Sequence, residues 1–380
     1  MSWVRLTAAL PVAVLRRTLS LAAVALTACS GTRVQGVLAR APNGDQVLTL
    51  DRGNLRLFDV PSGKAVWQGA LPAWDEYREF HAFFSTRGEY FVLAEEQRTG
   101  ETKRLYSLWE RKSGRRVSPY YEHAYAKVSL DWGIAVSDDG RWFATNRAVE
   151  STDLQVIDTK SQQVGLQLPV QNPQDPTQFS ADSSSLFVRD EVFRLGDKGW
   201  HSVAKFPGAV DGIWVGRRLA VATPKGIDLW DGSVTGHIDY PFAFHHEPAK
   251  DPQLNFYLRA SDSLLAICEW NDDASLLVYD VERGVKLFER RGLGAISNVT
   301  FRDGKPVLLT YREEFDTFVI VLDPATGRVL HEKGFGTYAN GGVAESPQRV
   351  TFWPFLLPGG RYLEQVSPDD RSSRFKPIEY

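Results

Sequence analysis

Hydrophobic positions along the chain come in short runs that close on an acid, three turn residues and a glycine. Leu57-Phe58-Asp59 leading to Gly63 is the first instance; Leu108-Trp109-Glu110 to Gly114, Val278-Tyr279-Asp280 to Gly284 and Val321-Leu322-Asp323 to Gly327 repeat it. In each of these the acid stands four positions before the glycine. Looser copies run from Val156-Ile157-Asp158 to Gln162 and from Leu229-Trp230-Asp231 to Gly236. A second series of polar turns interleaves with the first, at Asn43-Gly44-Asp45, Thr86-Arg87-Gly88, Asp138-Asp139-Gly140, 181–184, Gly216-Arg217, Ser261-Asp262-Ser263, Asp303-Gly304-Lys305 and Pro358-Gly359-Gly360. Short apolar runs bounded by Gly, Asp, Asn and Ser predict strands joined in hairpins, and no helical period of 10–15 residues separates them.

The second series recurs about every 45 residues, the period of a four-stranded propeller blade. The prediction is an all-β chain, a β-propeller of four-stranded antiparallel blades, with eight blades favoured and seven allowed. The unit around Leu195-Gly196-Asp197-Lys198-Gly199 lacks the acid–glycine pair, and the last unit offers three strands, at 349–355, 361–366 and 374–380. A strand drawn from 32–36 would complete it, since propellers protect their first and last edges by closing the ring across the termini. Ser137-Asp138-Asp139-Gly140-Arg141-Trp142 and Phe179-Ser180-Ala181-Asp182 resemble the first hairpin of WD-repeat blades, and Leu229-Trp230-Asp231 resembles the dipeptide that names them. Leu322-Asp323-Pro324-Ala325-Thr326-Gly327 is similar instead to the repeat of quinoprotein propellers. The resemblance covers about residues 37–380 and implies a divergent propeller. It implies no quinone site, because one Asp-x-x-Thr-Gly turn is not a cofactor cradle, and no cofactor is expected.

The first residues carry an address. Arg5, Arg16 and Arg17 precede an apolar run from Thr18 to Ala28, too short to span a bilayer, and Cys29-Ser30-Gly31 follows. Leu26-Thr27-Ala28-Cys29 resembles the bacterial lipobox, which implies cleavage after Ala28 and acylation of Cys29. The expected organisation is a leader over 1–28, a lipidated tether over 29–36 and a single propeller domain over 37–380. Ser30 in place of an acid is the pattern of lipoproteins passed to the outer membrane, so the chain is expected there, facing the periplasm.

Composition adds limits. Apolar content of 43% and charged content of 24% are those of a folded domain, and eleven Trp against one Met suit twisted sheets. A net charge of −3 excludes the basic footprint of a nucleic-acid protein. Cys268 lies in the apolar run 264–268 and reads as a small buried hydrophobe. No nucleophile elbow, zincin helix, phosphate loop or paired-cysteine metal site occurs, so neither a catalytic nor a metal site is assigned.

Aromatics concentrate in the connections opposite the glycine turns: Trp74 and Tyr77, then Tyr120, Tyr121, His123 and Tyr125, then Tyr240, Phe242 and His245, then Tyr338. Long aromatic loops on a rigid scaffold are where binding resides, and Tyr and Trp are enriched at hot spots. The alternative for each ring is packing between blades. The expected function is a lipid-anchored docking module for an envelope protein, without catalysis. One version resembles the propeller lipoprotein of the outer-membrane barrel-assembly machinery. Others are an inhibitor or immunity partner of a secreted toxin, and a propeller hydrolase or lyase with a channel active site.

Overall fold

A computed structural model describes residues 33–35, 37–42, 46–51, 53–59, 62–71, 78–97, 103–118, 121–124, 134–146, 153–169, 176–240, 256–269, 274–302, 304–312, 316–337, 355–357, 361–367 and 372–377. These form four-stranded antiparallel sheets arranged as a β-propeller. Blade one holds Val37–Arg40, Gln46–Asp51, Asn54–Asp59 and Lys64–Ala70; blade two holds Arg78–Phe84, Tyr90–Gln97 and Lys103–Glu110, with its outer strand in two pieces, Arg115–Arg116 and Tyr121–Ala124. Blade three is Ala135–Val136, Trp142–Asn146, Asp153–Asp158 and Val164–Pro169; blade four is Thr177–Phe179, Ser185–Val188, Glu191–Gly196 and Gly199–Lys205. Blade five is Asp211–Val215, Arg218–Thr223, Gly226–Trp230 and Val234–Ile238; blade six is Phe256–Ser261, Leu264–Glu269, Leu276–Asp280 and Val285–Arg290. Blade seven is Ala295–Arg302, Lys305–Arg312, Asp316–Leu322 and Val329–Thr337. A further sheet joins the termini: Phe355–Leu357, Arg361–Ser367 and Ser372–Pro377 take Arg33–Gln35 as their outer strand.

The repeated acid–glycine motif is explained by its turn. Asp59 Oδ2 accepts from the Ser62 amide at 2.8 Å, Asp280 Oδ1 from Arg283 at 3.0 Å, and Asp323 Oδ1 from Thr326 at 2.8 Å. The glycine four positions on closes the turn with a left-handed backbone: φ is 65° at Gly63 and Gly114, 66° at Gly284 and 67° at Gly327. Gln162 accepts the same conformation at φ 60° in blade three. Acid and glycine thus have separate duties, one satisfying amides and the other reversing the chain. At Gly114 a second constraint applies, because a Cβ there would stand 2.4 Å from the Trp67 ring.

The core is divided among the seams. In the middle strand of blade six, Leu265 and Ile267 pack toward blade five while Ala266 and Cys268 pack toward blade seven. A strand covered on both faces needs no polar alternation, which is why 264–268 reads as one apolar run. Among the described residues equivalent layers fill further seams, with Phe91 and Trp109 between blades one and two and Tyr106 and Phe143 between two and three.

Side chains also latch one blade to the next blade's third-to-fourth-strand turn. Trp67 Nε1 donates to Arg111 O at 2.6 Å, Arg218 Nη1 to Val281 O at 2.5 Å, and Arg290 Nη1 to Gly327 O at 2.6 Å. The first-to-second-strand turns are tied as well: Asp138 accepts from the Arg87 amide at 2.9 Å and from Ser85 Oγ, and the Asp139 amide donates to Ser183 Oγ at 3.1 Å. Both kinds of turn therefore share one side of the ring, here called the glycine-turn face; the remaining connections form the long-connection face.

Candidate functional site

Of the candidate docking residues, Tyr121, His123 and Tyr240 lie among the described residues. Trp74, Tyr77, Tyr120, Tyr125, Phe242, His245 and Tyr338 lie outside them, as do Ala28 and Cys29. Tyr121 and His123, expected on a connection, sit instead in the outer strand of blade two. Tyr121 is buried, packs its ring 5.6 Å from that of Phe143 and donates its hydroxyl to Thr159 O at 3.0 Å. Burial pushes that hydroxyl up to about 12 against the bond with Ser118. Tyr121 is a seam residue rather than a docking residue, because the ring removes more apolar surface from water beside Phe143 than it would on a rim.

Tyr240 has a different setting. It follows the outer strand of blade five, where the chain leaves for the long-connection face, and it is half-buried. Burial pushes its hydroxyl far up, and the carboxylates of Asp211 and Asp228 add to the shift. The phenol therefore stays neutral across the physiological range and keeps its proton to donate.

The hairpin register assembles the neighbours. Asp228 in the third strand of blade five pairs with His237 in the fourth, and His237 Nδ1–H donates to Asp228 Oδ1 at 2.7 Å. His237 Nε2 lies 3.5 Å from Asp239 Oδ1, a carboxylate whose side chain is 96% exposed. The imidazole can lie over the strand because Gly226 has no side chain; a Cβ there would meet His237 Nε2 at 2.5 Å.

Asp211 begins the inner strand of the same blade. Its carboxylate accepts from the Gly212 amide at 2.8 Å and from the Leu258 amide of blade six at 3.3 Å, tying two inner strands together. Burial pushes its carboxyl up, opposed first by the Gly212 bond and then by the Arg259 charge. The result is a small polar rim: a neutral phenol, an imidazole between two carboxylates, and a guanidinium on the neighbouring blade.

A His–Asp pair can orient a general base, but a nucleophile must stand beside it. The Thr223 hydroxyl, at the end of the second strand of the blade, is spent on its own turn, donating to Gly226 O at 3.0 Å. Among the described residues no group of three His, Cys, Asp or Glu side chains could hold a metal. The arrangement suits hydrogen bonding and charge recognition. Sequence reasoning singled out Tyr240 and used Gly236 only as a repeat mark, so Asp211, Asp228, His237 and Arg259 went unnoticed as site residues. The pairing of Asp228 with His237 could have been read by folding the sequence about the 231–233 turn.

No protein-family model matches the chain, and no curated protein sequence does. Solved structures do. BamB from Moraxella catarrhalis aligns with 13% identity and a TM-score of 0.51, over 91% of this chain and 99% of that one. The C-terminal WD40 domain of Sif2 aligns with 10% identity and a TM-score of 0.52, over 92% and 97%. A prolyl endopeptidase aligns with 15% identity and a TM-score of 0.52, over 79% of this chain and 50% of that one. At these identities the likeness is one of fold, and the fold is a β-propeller.

Proposed function

We propose that the chain is a lipid-anchored docking module of the bacterial envelope, which holds a protein partner on its long-connection face and performs no chemistry of its own. The observation that carries this reading is the blade-five rim. There Tyr240, His237 and the exposed Asp239 gather at one end of a blade whose interior is apolar. Recognition by exposed polar and aromatic groups on a rigid frame needs neither a nucleophile nor a cofactor. On this reading Cys29 carries the acyl anchor, the sheet shared by the termini serves as an eighth blade, and the protein faces the periplasm from the outer membrane. The barrel-assembly accessory anticipated from the leader and the repeats is one version of the same reading.

Affinity capture of the full chain from envelope membranes tests it. A stoichiometric partner is expected, lost when His237→Ala and Asp239→Lys are combined. Turnover of a substrate by the purified chain, abolished by His237→Ala or His245→Ala, would instead establish the propeller enzyme.

A further inference from the structure

Seven large hydrophobic side chains are exposed among the described residues, and six of them sit at one edge of the ring. Val66, Val117 and Leu330 each stand three positions past the glycine of their turn; Val164, Val234 and Val285 open their outer strands. Their exposures run from 38% at Val117 and Val285 to 61% at Val234. Single exposed hydrophobes are ordinary. What is not ordinary is their confinement to the outer rim of the glycine-turn face, with cations beside four of the six. Lys64 stands two before Val66, Arg116 directly before Val117, Lys286 directly after Val285 and Arg328 two before Leu330, all exposed. Exposed acids stand near three of the six, Asp231 by Val234, Glu282 by Val285 and Glu332 by Leu330, and the densest basic cluster is Lys112, Arg115 and Arg116 in blade two. Apolar side chains interleaved with Lys and Arg fit a bilayer interface, where the chains enter the headgroup layer and the cations meet anionic phosphates.

Strand addition is the competing use of an exposed outer edge, and the edges are built against it. The outer-strand pairing slips register by a bulge in blades one, three, four, five, six and seven. A bulged, twisted edge presents no straight row of amides to a further strand. The topology of the terminal sheet supplies a third observation. Gln35 pairs with Ser372 and leads into blade one at the long-connection face, so Arg33, paired with Arg374, lies at the other end of the strand, toward the glycine turns. Cys29 stands four residues before Arg33. An extended chain of that length reaches about 14 Å, which holds an anchor at Cys29 near that end of the strand.

We infer that the glycine-turn face lies against a bilayer containing anionic phospholipid, which leaves the blade-five rim turned away from the membrane. The inference extends the anchor reading proposed above. The full chain, extracted from membranes and reconstituted into vesicles of phosphatidylethanolamine alone or with one quarter phosphatidylglycerol, tests both together. Fluorophores are placed at Ser113→Cys on the glycine-turn face and at Lys225→Cys on the opposite face; Cys268 is buried and does not compete. Spin-labelled lipid headgroups should quench the Ser113 label at least twofold more than the Lys225 label. The difference should grow with phosphatidylglycerol and vanish when Lys112→Glu, Arg115→Glu and Arg116→Glu are combined. A chain that floats with both vesicles yet quenches equally at the two labels keeps its anchor and overturns the inference. A chain that floats only with the anionic vesicles, and detaches in high salt, supports the face and overturns the anchor. Flotation with neither overturns both.

Discussion

On the glycine-turn face Asp158 accepts from the amides of Lys160 and Ser161 at 3.0 and 2.9 Å, inside a turn that it closes by itself. On the opposite face Asp239 extends into water beside His237 and closes nothing. The two carboxylates are the same chemical group with opposite duties. Where a residue satisfies its own backbone it counts as scaffold, however often it recurs. Where it has no structural claim on it, its presence needs another explanation, and recognition is the one its neighbours support.

The contrast can be broken most severely at Gly114. Gly114→Val adds left-handed strain to a collision with the Trp67 ring, so the variant should lose about 3 kcal/mol or more in urea unfolding, while partner capture by the folded fraction is retained. A smaller effect separates two seams. Trp67 Nε1 reaches Arg111 O, whereas the buried indole nitrogens of Trp142 and Trp200 have no hydrogen-bond partner among the described residues, although their rings meet edge to face at 5.5 Å. Trp67→Phe should therefore cost about 1–2 kcal/mol, and Trp200→Phe close to nothing, because it also removes an unmet donor.

Acid should distinguish the turns further. The Ser161 amide bond holds Asp158 below its ordinary 3.8, and the Thr326 hydroxyl does the same for Asp323. A carboxyl depressed in the folded state adds stability above its unfolded pKa and loses it as pH falls through the folded one. Asp138 has the opposite sign, since burial pushes it up and its protonation favours the native state. Unfolding followed from pH 5 to pH 2 should show Asp158→Asn flattening the acid loss and Asp138→Asn steepening it. The smallest change is expected at His237→Ala, within about 0.5 kcal/mol in thermal unfolding, because the Asp228 contact lies at the surface.

Much of the scaffold was legible in the sequence, and the reason is local. A turn closed by its own acid and a left-handed glycine is written within five residues, so Asp59 to Gly63 and Asp323 to Gly327 could be recognised without knowing what lies beside them. The polar turns at 86–88, 138–140 and 216–217 were placed for the same reason, and even blade four, which lacks the motif, was found from its period. The seams were not legible. Tyr121 looked like a rim aromatic because nothing near it in sequence reveals Phe143 and Thr159 of the next blade. Asp211 was invisible for a related cause: its partner Leu258 lies beyond a long connection. Seam and rim residues are defined by contacts across blades, and single-chain periodicity does not report these.

The central claim is that recognition belongs to the long-connection face. Hydrogen exchange of the full chain, with and without its captured partner, tests it most directly. Protection is predicted in the backbone around 224–228 and 237–240, with exchange at 111–114 and 281–284 unchanged. Protection confined to those glycine turns, with the blade-five rim unaffected, would contradict the account.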